Sequence, residues 1–161
     1  MPEQPSRTRP PRSAETRGTF TRVVVSRGAE ETRRLASELA TTLAPGDCVA
    51  LRGELGAGKT CFVRGLVEGL GGDPRSVSSP TFVLLNVYDT PRGSVYHLDA
   101  YRVSGPDDFE TIGFDELLVQ RGIVVIEWPE RVERLLPRHR VEVRFEALSE
   151  NERRIELRRS E

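Results

Sequence analysis

The sequence predicts one α/β domain, a helix-flanked sandwich around a mixed sheet that is mostly parallel at its centre. Three observations carry this expectation. The runs Cys48-Val49-Ala50-Leu51 and Ile123-Val124-Val125-Ile126 are apolar without alternation, as in strands covered on both faces. Residues 27–43 and 62–70 repeat apolar side chains at helical spacing. Strand-like runs at 82–88 and 94–99 are joined by Asp89-Thr90-Pro91-Arg92-Gly93, which predicts a hairpin and so adds antiparallel strands. A length of 161 residues fits a single domain.

Taken in order, Thr21-Arg22-Val23-Val24-Val25-Ser26 is β-branched and reads as the first strand. Leu35, Leu39 and Leu43 recur every fourth residue, with Ala36 and Ala40 beside them, before Pro45-Gly46 ends the pattern; this is an amphipathic helix packed on the sheet. The buried-type strand 48–51 leads into Gly53-Glu54-Leu55-Gly56-Ala57-Gly58-Lys59-Thr60, and a helix with Val63, Leu66, Val67 and Leu70 apolar follows and stops at Gly71-Gly72. Ser76 to Pro80 reads as loop, 106–118 as short helical pieces, and 132–136 as a helical turn before Pro137. Residues 141–145 and 154–157 alternate like a closing hairpin. The domain is expected over 19–161, with 1–18 as a disordered tail of four arginines, two glutamates and four prolines.

The charge balance narrows the function. With 24 basic and 25 acidic residues the formal net charge is −1, which disfavours a protein that coats nucleic acid by bulk electrostatics. No apolar run approaches the roughly 20 residues of a membrane span. Cys48 and Cys61 are too few for a disulfide framework and lack zinc-site spacing, so a reducing, cytoplasmic setting is expected. Among the basic residues only Lys59 is a lysine, which raises the question of what arginine cannot do at that position.

The segment 53–60 answers it. It matches the P-loop pattern of two glycines spaced to turn the backbone, then Lys and Ser/Thr. Glycines let consecutive N–H groups point at phosphate oxygens. Lys59 brings a compact ammonium to the β- and γ-phosphates, the Thr60 hydroxyl completes the coordination of Mg²⁺, and the next helix adds its N-terminal dipole. The candidate nucleotide-binding residues of this segment are Glu54, Leu55, Gly56, Ala57, Gly58, Lys59, Thr60 and Cys61. The guanine-reading pattern Asn/Thr-Lys-x-Asp is missing, since Asn86-Val87-Tyr88-Asp89 lacks the lysine. ATP is therefore preferred over GTP, and the domain is expected to be P-loop NTPase-like.

A carboxylate at the end of a central strand serves to orient Mg²⁺ or the attacking water. Asp99 and Glu127 both qualify, and for each a cap or an arginine ion pair is the competing reading. His97 lies two residues before Asp99, hence on the same face of a strand. A His–Asp metal pair and a hydrogen-bonded structural histidine both fit, the latter better because no third ligand is evident.

Four motifs in order, 53–60, Ser79-Pro80-Thr81-Phe82, His97-Leu98-Asp99-Ala100-Tyr101-Arg102 and Glu127-Trp128-Pro129-Glu130, resemble the bacterial TsaE family, formerly YjeE, over residues 21–157. The resemblance implies a small Mg-dependent ATPase, weak alone, that supports the TsaB and TsaD proteins in forming N6-threonylcarbamoyladenosine at position 37 of tRNAs reading codons beginning with A. The transferase would be TsaD, and tRNA would be met through the complex. Carried over, Lys59 and Thr60 bind phosphates and Mg²⁺, Asp99 is the acidic residue at the metal, Glu127 is required for hydrolysis and is a further metal candidate, Thr81 senses the γ-phosphate, and Trp128 shapes the nucleotide or partner site. The departures are Cys61, where the family often has threonine, and Pro129, where small residues are common. A kinase of a small metabolite is the main rival, although no arginine-rich lid is evident; a non-hydrolysing nucleotide-dependent binding module is another.

Overall fold

The computed structural model describes residues 19–54, 56, 58–78, 84–101, 103, 106–111, 113–119 and 122–159. The expected tail over 1–18 and the candidates Leu55, Ala57 and Thr81 lie outside the described residues. Seven strands are present: β1 Phe20–Ser26, β2 Cys48–Arg52, β3 Leu85–Tyr88, β4 Ser94–Asp99, β5 Gly122–Glu127, β6 Val141–Ala147 and β7 Arg153–Arg159. The helices are α1 Ala29–Ala40, α2 Lys59–Gly69, α3 Pro106–Thr111 and α4 Phe114–Val119, with 3-10 segments at Pro74–Ser76 and Pro129–Leu135.

The strands form one sheet in the order β1-β7-β6-β2-β5-β4-β3. The central four, β6, β2, β5 and β4, are mutually parallel, while β3 at one margin and β7 and β1 at the other pair antiparallel. The mixed sheet with a parallel centre is thus as the sequence indicates.

Every residue of β5 is buried, as are the first four of β2. Their side chains divide by parity, because successive residues of a strand face opposite ways. Val49, Leu51, Ile123 and Val125 join α1 and α2 in one core, whereas Cys48, Val124 and Ile126 meet Phe114, Leu117 and Val132 on the other side. This two-sided burial explains why both runs lack alternation.

Two boundaries differ from the periodicity. α1 stops at Ala40, and not at Leu43, because the Thr41 and Thr42 hydroxyls donate back to the carbonyls of Glu38 and Leu39; Leu43 is still buried. α2 begins three residues earlier than its first apolar residue, at Lys59 itself. A Cβ added to Gly69 would come 2.7 Å from the Ala40 Cβ, so glycine and alanine let the two helices approach closely. Leu66 and Val67 seat the same helix on the sheet.

Candidate functional site

Lys59 is the first residue of α2, next to Gly58 at the helix N-cap. Gly58 has φ +99° and Gly56 φ +78°, a left-handed conformation that L side chains adopt only with strain. A Cβ at either glycine would meet nothing within 4 Å. The two are therefore demanded by backbone direction and not by crowding among the described residues. Beside the loop lies a cleft of about 680 Å³, lined by Gly53, Gly56, Trp128, Phe145, Ala147 and Arg153 among others. Arg153, at the start of β7, donates to the Gly56 carbonyl at 3.2 Å.

Lys59 is 5 % exposed. Its ammonium donates to the Gly53 carbonyl at 2.6 Å and lies 3.9 Å from the centre of the Trp128 ring. Burial lowers its pKa, partly opposed by the negative charges of Glu127, Asp99 and Glu130. A cation held this way, by one neutral carbonyl and a π face, is short of an anion.

The carboxylates arrive by strand geometry. Asp99 and Glu127 are register partners at the ends of the parallel strands β4 and β5. They share the parity of Val95 and Val125, which pack on the α2 side, so both end on the side of Lys59. Asp99 accepts from the Tyr101 N–H at 2.8 Å. Its pKa is raised, chiefly by burial and further by Glu127, while the Tyr101 N–H and Lys59 pull the other way. Two carboxylates, Glu127 buried and Asp99 partly so, are thus held close to a lysine that reaches neither by a direct ion pair among the described contacts.

Glu127 is 5 % exposed and its Oε2 lies 2.7 Å from His97 Nε2; His97 is fully buried, and its Nδ1 is 3.0 Å from the Tyr88 hydroxyl. The hydrogen-bonded histidine is therefore the arrangement present. Among the described residues no group of three or more His, Cys, Asp or Glu is placed to hold a metal unaided, and the Asp99 and Glu127 oxygens would need a hydroxyl and phosphate oxygens to complete a shell.

Trp128 has φ 56°, the only non-glycine residue with positive φ among those described. It precedes Pro129, which opens the 3-10 segment, and a residue before proline normally avoids helical angles of either hand. The strained backbone swings the indole over Lys59 and against Tyr101, 4.9 Å between ring centres. Pro129 is thus part of the turn that sets Trp128.

The remaining candidates sit less centrally. Thr60 follows Lys59 in the first turn of α2, Glu54 is exposed, and the Cys61 thiol lies 3.2 Å from the Ala29 carbonyl of α1, facing the neighbouring helix. Burial raises the Cys61 pKa. Sequence reasoning did not assign Tyr88, Arg153 or the Gly53 carbonyl to the site. Only Gly53 has a motif signal, as the first residue of the loop; Tyr88 reaches the site across the β3–β4 hairpin, which no short pattern announces.

The chain is similar to known proteins over most of its length. Residues 26–155 match the family model described as "Threonylcarbamoyl adenosine biosynthesis protein TsaE". The chain is 44% identical over 131 residues to the tRNA threonylcarbamoyladenosine biosynthesis protein TsaE of Treponema pallidum, covering 81% of this chain and 96% of that protein. The protein of the same name from Bacillus subtilis is 39% identical over 126 residues, covering 78% of each. Among solved structures, that of Bacillus subtilis YdiB superposes with a TM-score of 0.71 at 29% identity, covering 88% of this chain and 87% of that one.

Proposed function

The chain belongs to the TsaE family, and from that premise we propose that it binds and hydrolyses ATP as an accessory subunit supporting TsaB and TsaD in forming N6-threonylcarbamoyladenosine at position 37 of tRNAs that read codons beginning with A. The observation that carries the reading is the anion-deficient Lys59, buried at the start of α2 behind two left-handed glycines and beside Asp99 and Glu127. A triphosphate would give the ammonium the direct anionic partner that it lacks among the described contacts.

In this reading Lys59 leaves the Gly53 carbonyl for the β- and γ-phosphate oxygens, and the N–H groups at the start of α2 point at the same anion. A rigid guanidinium fork is broader than an ammonium and fits such a cradle poorly, which accounts for the retained lysine. The donor set fits Mg²⁺: the Thr60 hydroxyl, Asp99 and Glu127 would hold it through hard oxygen atoms. When bound, Mg²⁺ neutralises charge on the phosphate oxygens. Asp99 has a second reason to accept a cation, since one would relieve its repulsion with Glu127. Glu127 orients the attacking water with the carboxylate that His97 holds. Trp128 walls the lysine off from solvent, and the cleft beside Gly56 and Arg153 offers room for the nucleoside. The setting is taken to be the cytoplasm; no described helix is long and apolar enough to cross a membrane.

Reconstituted tRNA modification with TsaB and TsaD tests this directly. Repeated modification cycles are expected with the wild-type chain and not with Lys59→Ala, which removes a charge-assisted contact worth about 1.5–3 kcal/mol, or roughly 10- to 150-fold in nucleotide affinity or turnover. Equal multiple-turnover yields with both proteins would overturn the reading.

A further inference from the structure

The chain of contacts Ser78, Tyr88, His97, Glu127 begins at an exposed residue and is buried from Tyr88 onward, and it ends on the carboxylate proposed to orient water. Tyr88 OH lies 3.0 Å from His97 Nδ1 and 3.0 Å from the Ser78 carbonyl, and the Ser78 N–H is 3.4 Å from the same oxygen. His97 is fully buried and Tyr88 is 5 % exposed, so water does not compete for the Tyr88–His97 and His97–Glu127 bonds.

With Glu127 ionised and the imidazole singly protonated, one arrangement satisfies both ring nitrogens. An ionised carboxylate only accepts, so the 2.7 Å contact to Glu127 Oε2 requires the proton on His97 Nε2. A neutral imidazole with its proton there presents Nδ1 as a lone pair, which needs a donor. The donor within reach is the single phenolic hydrogen of Tyr88. That hydrogen has two acceptors at 3.0 Å, His97 Nδ1 and the Ser78 carbonyl, and only the first satisfies the buried imidazole lone pair; the Tyr88 oxygen then accepts from the Ser78 N–H at 3.4 Å, and the Ser78 carbonyl keeps a 3.5 Å contact with Asn86 Nδ2.

We propose that His97 and Tyr88 are positioning residues: Tyr88 fixes His97 in the Nε2–H tautomer, and that N–H holds the Glu127 carboxylate in its water-orienting direction. The three side chains come from β3, β4 and β5, so the carboxylate is set by the sheet itself. The kinetic consequence rests on the ATPase reading; the tautomer does not.

The two amide isosteres of histidine separate positioning from packing. Gln at 97 carries its amide nitrogen near the Nε2 position and keeps a donor toward Glu127, whereas Asn places its polar atoms near Nδ1 and loses that donor. His97→Asn is expected to lower kcat for ATP about 10- to 100-fold with the nucleotide Kd changed less than about threefold, and His97→Gln to recover most of the rate. Equal losses in the two variants, or a Kd that shifts with kcat, would overturn the proposal. Nitrogen NMR of the wild-type chain labelled at its two histidines, with His139→Gln for assignment, reads the tautomer without any turnover. The expected result is a protonated Nε2 and a bare Nδ1 on His97, mixed in Tyr88→Phe. A protonated Nδ1 in the wild type, or an unaltered tautomer in Tyr88→Phe, would refute it. Absent ATP turnover by the wild-type chain would count against the ATPase reading, and the NMR result would still decide this one.

Discussion

Two charge clusters in this molecule are built from similar residues and have opposite electrostatic character. At the end of β2, Arg52 donates to Glu142 at 2.6 Å and to Glu133 at 2.8 Å, and Arg140 donates to both of those carboxylates. Glu142 is mostly buried, yet its pKa is lowered, because hydrogen bonds from Arg52 and Arg140 outweigh the desolvation that would raise it. At the ends of β4 and β5 the signs reverse: burial raises Asp99 and lowers Lys59. The first cluster is satisfied and stabilises the fold. In the second, Lys59 has no direct ion pair among the described contacts, which is what the proposed ligand site requires. The contrast shows that the pairing of ionisable groups, and not their number, separates a structural cluster from a functional one.

The strongest way to break the contrast is to unpair the satisfied cluster. Glu142→Gln removes the charge that neutralises two arginines, each less than one-fifth exposed at the side chain. A loss of about 2–3 kcal/mol is expected, a fall of about 4–10 °C in Tm, with ATP affinity within about threefold of wild type. The pH dependence follows from the sign of the shift. A depressed carboxyl pKa contributes stability above the ordinary carboxylate range and loses it as pH falls through the depressed value. The gap between wild type and Glu142→Gln in thermal melts therefore closes on acidification.

Asp99→Asn has a smaller effect on stability, in the opposite direction. The amide oxygen can still accept from Tyr101 N–H, while the desolvated charge disappears. A gain of about 1–3 °C in Tm is expected near neutrality, together with impaired ATP hydrolysis. Because the Asp99 pKa is raised in the folded chain, the folded state binds its proton more tightly, and stability is lost as pH rises from the ordinary carboxylate range through the raised value. The advantage of the variant thus opens with rising pH. A gap that closes instead would place Asp99 among the satisfied groups.

The two clusters were not equally legible in the sequence. The glycine loop, Lys59, Asp99 and Glu127 are local signals: a motif of fixed spacing and two strand ends whose parity places them on one face. The two buried runs likewise fixed the centre of the sheet, and the alternating runs its antiparallel margins. The Arg52 cluster joins residues as far as 90 positions apart, across a parallel β2–β6 pairing that no local pattern specifies. His97 was readable as a hydrogen-bonded histidine, but its partners Tyr88 and Glu127 become neighbours only through the order β5-β4-β3. The left-handed backbone of Trp128 was also hidden, since a residue before proline is expected to be extended.

The central claim is that Lys59 is kept in an unfavourable environment for the sake of a triphosphate. Equilibrium binding of ATP with Mg²⁺ to the wild-type chain and to Lys59→Met, with thermal melts on the same samples, tests it most directly. Methionine fills similar space without the buried charge. The account predicts that Lys59→Met melts at the wild-type temperature or above it while ATP affinity falls at least about tenfold. A variant that binds ATP as tightly as the wild type would contradict it.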